Sequence, residues 1–167
     1  MSQIAIAPER PDQPEIVALI EALDAYAMAL YPPESNHLLD IASLCAPDVA
    51  FLVARDRGTA LGCGAVLHDA RGWGEVKRMY VRPEARGRSI GMRILAALEQ
   101  VAAGRALPLL RLETGIHNTE ALALYRRVGF RDCDPFGDYA PDPLSVFMEK
   151  SITFGRANVG AAAWRGI

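Results

Sequence analysis

The sequence predicts a mixed α/β domain, and three observations predict it. Short alternating or continuous apolar runs are separated by stretches with apolar residues at helical spacing. Their order (strand, helix, short helix, three strands, helix, strand, helix, two strands) sets an antiparallel meander before an α/β crossover. The length, 167 residues with 51% hydrophobic and 23% charged content, suits one domain burying roughly 70% of its unfolded surface. That apolar content, evenly spread, excludes collagen-like and disordered chains.

Each element has its own signal. Ile4 and Ile6 alternate with polar or small neighbours over residues 3–8, a short strand. Asp12-Gln13-Pro14-Glu15 reads as an acidic N-cap with a capping-box glutamate, and Ile16, Leu19, Ile20, Leu23 and Tyr26 carry a helix to about Ala29. Tyr31-Pro32-Pro33 stops it, and a short helix is expected through residues 37–44. Strands over 49–55 and 60–68 are joined by Asp56-Arg57-Gly58-Thr59, and a third covers 73–81. Ile90, Ile94, Leu98, Val101 and Ala102 mark a long helix ending near Gly104, followed by a Leu-rich strand over 107–113. Asn118 is placed to cap a last helix bearing Leu122, Tyr125 and Val128, closed by Gly129. Strands over 130–133 and 145–150 complete the domain at 1–150, leaving 151–167 as an unassigned tail.

Composition narrows the function. The longest run without Asp, Glu, Lys or Arg is 11 residues, Gly58 to His68, where a spanning helix needs about 20. No basic leader precedes Glu9 and Arg10, so a cytoplasmic protein without a membrane partner is expected. Cys45, Cys63 and Cys133 are odd in number and widely spaced, as expected of reduced core thiols. The net charge of −2 argues against nucleic acid as a partner. Between Arg71 and Arg111, however, nine basic residues face three acids, +6 against −8 for the rest. Either this is a solvated basic face or a local site for a polyanion.

The richest stretch runs from Val76 to Gly91. A strand enters a turn holding Arg86, Gly87 and Arg88, and the turn opens into a helix at Ile90. Unpaired N–H groups and the dipole of a helix start attract anions, glycines at 87 and 91 let oxygens approach the main chain, and the arginines add charge. The alternative is a basic loop that only caps a helix. No GxxxxGK(S/T) sequence, dinucleotide glycine fingerprint or GxSxG elbow is present.

This stretch resembles motif A of the GNAT superfamily of N-acetyltransferases. Arg86-Gly87-Arg88-Ser89-Ile90-Gly91 matches Arg/Gln-x-x-Gly-x-Gly/Ala, with Ser89 where the family usually has Gly. Leu112 to Asn118 and Tyr125-Arg126-Arg127-Val128-Gly129-Phe130 resemble the family's next strand and its Asn…Tyr-x-x-x-Gly-Phe helix. The likeness covers about residues 3–150. The segments Tyr31 to His37 and Phe136-Gly137-Asp138-Tyr139 are similar to a bacterial subgroup of these acetyltransferases. The resemblance implies a mostly antiparallel sheet with a splayed parallel pair in the middle, flanked by helices, and admits a homodimer. It implies acetyl-CoA as co-substrate without a metal, and a small-molecule amine as acceptor. The pyrophosphate is then expected on the residues Arg86, Gly87, Arg88, Ser89, Ile90, Gly91 and Met92. Pantetheine would pair with main-chain groups along Met79, Tyr80 and Val81, and Asn118 would contact the pantetheine or adenosine arm.

Direct acetyl transfer to an amine, through a tetrahedral intermediate, needs a neutral nucleophile, a stabilised oxyanion and a proton for the leaving thiolate. An alkylamine of pKa about 10.4 is neutral roughly once in 2,500 at pH 7, a deficit of about 4.6 kcal/mol. Glu75, six residues before Val81, is the candidate base; otherwise it is a surface carboxylate paired with Lys77 or Arg93. Amides near Met79 can receive the oxyanion. Tyr125, two turns past Asn118, is the candidate acid for the thiolate; otherwise it is a core tyrosine. His37, with Glu34 and Asp138 from the subgroup segments, is a candidate for lining the acceptor pocket. The three histidines have no metal-ligand spacing. Asp132, Asp134, Asp138 and Asp142 form either a solvated loop or a steering patch for a cationic amine. Two rival functions remain: a noncatalytic acyl-CoA sensor, and a protein or peptide N-acetyltransferase.

Overall fold

Period-two alternation gives the strands two faces, and both are covered. The computed structural model describes residues 3–154. Strands β1 (Ile4–Pro8), β2 (Val49–Asp56), β3 (Thr59–His68), β4 (Gly74–Val81), β5 (Leu109–Gly115), β6 (Arg131–Cys133) and β7 (Ser145–Ser151) form one sheet in the order β1-β2-β3-β4-β5-β7-β6. The pair β4–β5 is parallel and every other pair antiparallel, as the resemblance implied.

Helices α1 (Pro14–Leu30) and α2 (Ile41–Leu44) cover one face, and α3 (Ile90–Gly104) and α4 (Thr119–Arg127) the other. Ile16, Leu19 and Ile20 of α1 pack on Phe51, Val53, Cys63 and Ala65. Ile90, Ile94, Leu95, Leu98 and Ala102 of α3 pack on Leu52, Val66, Val76, Leu110 and Leu112.

Several boundaries differ from the sequence reading, for local reasons. Gln13, not Asp12, is the N-cap of α1, and no side chain caps it. Glu15 instead accepts from the Ala60 N–H (2.8 Å) and pairs with Arg55, while Asp12 pairs with Arg10. The expected helix over 37–44 shrinks to Ile41–Leu44, because Asp40 starts it by accepting from the Ser43 N–H at 2.7 Å. Pro33–Ser35 is a 3₁₀ turn. Helix α3 does end at Gly104 as expected, its αL closure falling on Ala106 (φ 55°) with the Leu107 N–H bonded to the Ala102 carbonyl. The expected Gly129 closure holds: φ is +101°, and the N–H groups of Gly129 and Phe130 reach the carbonyls of Arg126 and Tyr125. Ile152 is buried and its N–H binds the Pro108 carbonyl, so packing continues past 150; residues 155–167 of the expected tail lie outside the described residues. Of the three thiols, all free, only Cys63 is a core residue.

Two features shape the centre of the sheet. Strands β4 and β5 are paired only at Gly74/Leu110 and Glu75/Arg111 and then part. Arg78 sits at φ 57° where the register with β3 shifts, a bulge in β4. Its buried guanidinium is bound to Asp24 and to the Leu39 carbonyl, and the Cys63 thiol donates to its main-chain oxygen.

Candidate active site

The parting of β4 and β5 opens a cavity of about 130 Å³ that passes from one face of the sheet to the other. Leu23, Tyr26, Leu38 and Leu39 line it on the α1 face, Val76 to Met79 and Glu113 to Gly115 along the strands, and Asn118 and Tyr125 on the α4 face. Beyond Glu75 the β5-facing edge of β4 has no strand partner among the described residues. That edge is free to pair with an extended ligand.

At the far end of β4, a 3₁₀ turn over Pro83–Ala85 leads to the start of α3. Residues 86–89 are exposed, and both Gly87 (φ 79°) and Ser89 (φ 58°) are left-handed. A Cβ at Gly87 would meet nothing within 4 Å, so the main chain there is open to a bulky anion. Ser89 is the N-cap but makes no side-chain cap bond, which leaves the first-turn N–H groups to other acceptors. Arg86 stands 3.7 Å from Glu120 and Arg88 2.6 Å from Asp56. Gly91 is different from the expectation. Its Cβ would lie 2.9 Å from Leu124 Cδ2, so Gly91 lets α3 approach α4 rather than an oxygen approach the chain. The Ile90 side chain is buried in the core and Met92 is half-buried, so only main-chain groups serve there.

Tyr31 holds the loop after β5. Its hydroxyl accepts from the His117 N–H (3.0 Å) and donates to Asn118 Oδ1 (3.2 Å), and its ring stacks on His117. Asn118 Nδ2 donates to Thr114 Oγ1 at 3.2 Å. Asn118 therefore occupies the N-cap position of α4 without capping it by its side chain, contrary to expectation. Tyr125 is buried against Phe130, ring to edge, and its burial together with the Glu113 charge raises the phenol above its ordinary range.

On the α1 face, Glu75 is 7% exposed and is not the surface carboxylate considered above. It accepts from the Tyr139 hydroxyl at 2.5 Å and pairs with Lys77 at 3.1 Å, not with Arg93. It does not line the cavity; Glu113 does. The Ser145 hydroxyl donates to Glu113 Oε1 at 2.7 Å, and burial raises the carboxyl above the usual carboxylate range. His37 lines the cavity with its ring on the edge of Tyr139. Glu34 lines a neighbouring hollow beside Asp142, and Asp138 lines neither, its exposed side chain 3.4 Å from Arg71.

The +6 segment is not one patch. Arg71, Lys77, Arg78 and Arg111 are each paired with an acid, and Arg93 and Arg105 donate to main-chain carbonyls. Likewise Asp132 pairs with Arg126 and Asp142 accepts from Ser35, so the aspartates are spread among separate partners. Among the described residues, no group of three or more His, Cys, Asp or Glu side chains is arranged to hold a metal, and no helix is long and apolar enough to cross a membrane.

Residues 16–130 match the model of the acetyltransferase (GNAT) family. The chain is 54% identical over 153 residues to a protein of Azospirillum brasilense named IAA acetyltransferase, covering 91% of this chain and all of that one. It is 38% identical to the uncharacterized N-acetyltransferase YedL of Escherichia coli, covering 80% and 87%. A Klebsiella pneumoniae structure, provisionally assigned as an acyl-CoA N-acyltransferase, superposes with TM-score 0.77 at 42% identity, covering 90% and 99%. The PaiA N-acetyltransferase of Thermoplasma acidophilum, solved with coenzyme A, shares the fold (TM-score 0.69, 21% identity, 89% and 99% covered). Motif, topology and relatives agree: the chain belongs to the GNAT family of acetyltransferases and is an acyltransferase enzyme.

Proposed function

We propose that the protein transfers the acetyl group of acetyl-CoA to the amine of a small cytoplasmic molecule. The observation that carries this reading is the through-sheet cavity. It joins the unpartnered edge of β4 and Tyr125, on one side, to an acidic, apolar-walled hollow on the other. Acetyl-CoA supplies a thioester carbonyl. Arg86, the open main chain at Gly87 and the first-turn N–H groups of α3 are suited to its phosphates, and the edge from Val76 to Val81 to its pantetheine.

In the transfer an N–C bond forms as a C–S bond breaks, the amine losing one proton and the thiolate gaining one. Tyr125 donates its phenolic proton toward the thiolate, and the proton the amine loses passes through water to restore the phenol. Main-chain N–H groups at Met79 receive the oxyanion. Glu75, enclosed by Lys77 and Tyr139, acts from behind the cavity wall, holding those two side chains and setting the local charge. Thiol release from acetyl-CoA across an amine panel, with product masses, tests the reading; IAA is assayed beside the panel as a separate acceptor, because the Azospirillum relative bears that name. Acetyl-CoA binding without turnover of any acceptor would favour a sensor, and acetylation of peptides alone a protein-modifying enzyme.

A further inference from the structure

We infer that Glu113 binds the acceptor's amino group, and that the acceptor is a primary amine on an apolar or aromatic body. This rests on the acetyltransferase reading above and adds the acceptor's chemistry to it.

The charges of the cavity wall are unevenly matched. Lys77 is consumed by the Tyr139 hydroxyl at 2.6 Å, Glu75 at 3.1 Å and the His37 carbonyl at 3.4 Å. Arg78 is consumed by Asp24 and the Leu39 carbonyl. Glu113 has Ser145 on Oε1, and among the described residues nothing donates to Oε2. A half-buried carboxylate without an ion-pair partner is costly, and an incoming ammonium offsets that cost. The unmatched charge at the cavity is thus negative, which suits an amine and not an anionic acceptor.

The rest of the acceptor is indicated by the walls. The apolar stripe of α1 runs off the core: Ile16, Leu19 and Ile20 are buried, Leu23 is half-buried, and Tyr26 is 45% exposed. Leu23 and Tyr26 line the cavity, joined there by Leu38, itself 39% exposed. Large apolar side chains left wet around one opening favour an apolar ligand body. The groups that face Glu113 are His37, Lys77 and Glu75, with Ser145 on β7 and the phenols of Tyr31, Tyr125 and Tyr139.

The experiment compares phenethylamine and hexylamine with ethanolamine and 2-aminoethylphosphonate in the wild type, Glu113→Gln and Leu38→Asn. The wild type should prefer phenethylamine over ethanolamine by about tenfold or more in kcat/KM, the scale of a few methylenes in an apolar pocket. Glu113→Gln keeps an acceptor for the Ser145 hydroxyl. It should lose about 10²-fold in kcat/KM for amines, with acetyl-CoA affinity and melting temperature undiminished, and should lose the acid limb of the pH profile. Leu38→Asn, at an exposed site, should narrow the phenethylamine preference several-fold. Amine turnover with Glu113→Gln fully active, or a preference for ethanolamine or the phosphonate, would overturn this inference alone. Failure of every amine despite acetyl-CoA binding would overturn the amine-acceptor reading and this inference with it.

Discussion

Replacing Gly115 by alanine puts a methyl group into the ring of Tyr31. The added Cβ would lie 2.0 Å from Cζ and Oη and 2.6 Å from Cε1, far inside contact distance, so the ring must leave its place. Two hydrogen bonds go with it, those to the His117 N–H and Asn118 Oδ1, at about 0.5–1.5 kcal/mol each. Overpacking and displacement of a ring now only 7% exposed add about 1–3 kcal/mol. The total, about 2–6 kcal/mol, corresponds to a fall in Tm of roughly 4–24 °C for a chain of this length. Thermal melts of the wild type, Gly115→Ala, Tyr31→Ala and the double variant measure the coupling. With the ring gone the methyl has nothing to strike, so the double variant should cost at least about 2 kcal/mol less than the sum of the singles. Costs that add to within about 0.5 kcal/mol would refute the steric account, and Tyr31 would not be what positions Asn118.

Tyr125→Phe keeps the ring against Phe130. It should lower kcat by up to about 10²-fold while acetyl-CoA affinity stays within a few-fold; full kcat with unchanged stability would make Tyr125 a packing residue. Ser89→Gly relieves a left-handed serine and should change acetyl-CoA affinity less than tenfold, by calorimetry, whereas Gly91→Ala should lower Tm by pressing on Leu124. Arg55 holds the carboxyls of Glu9 and Glu15 below the usual carboxylate range, so the stability they contribute is present above about pH 4.5 and fades as pH falls through their depressed values. Arg55→Met should therefore cost about 1–2 kcal/mol at pH 7 in denaturant titrations, a figure reduced for partial exposure, and the gap should close in acid.

What could be read from the sequence is what depends on neighbours in the chain. Ile90 to Ala102 announce α3 by spacing, Gly129 announces the end of α4 by its αL closure, and both stand as expected. What failed depends on partners far away. Asp12-Gln13-Pro14-Glu15 has the letters of a capping box, yet Glu15 finds Arg55 and Ala60, forty or more residues on. Asn118 has the letters of a cap, yet Tyr31, 87 residues back, takes its oxygen. In each case a tertiary bond competes with a local one for the same atom and wins.

The same competition explains why the acidic side of the cavity is hidden in the sequence while the turn at the start of α3 is legible there. The turn from Arg86 to Gly91 is contiguous, so its chemistry is visible as a string. The acidic end is assembled across register: Glu113 stands opposite Phe147 on β7, Glu75 beside Arg111 on β5, and Tyr139 arrives from a loop. A faint signal was present, since Arg111 and Glu113 are charged at alternate positions of a Leu-rich strand between two neighbours, where an apolar pattern is the rule. Alternation alone says that one face of β5 is polar. Only the parting of β4 from β5 makes that face the wall of a cavity, and the bulge at Arg78, pinned by Asp24 and Leu39, marks where β4 departs from regular pairing. A charged residue that looks like an ordinary ion-pair former in the string thus helps to shape the opening on which Glu113 and Tyr125 both depend.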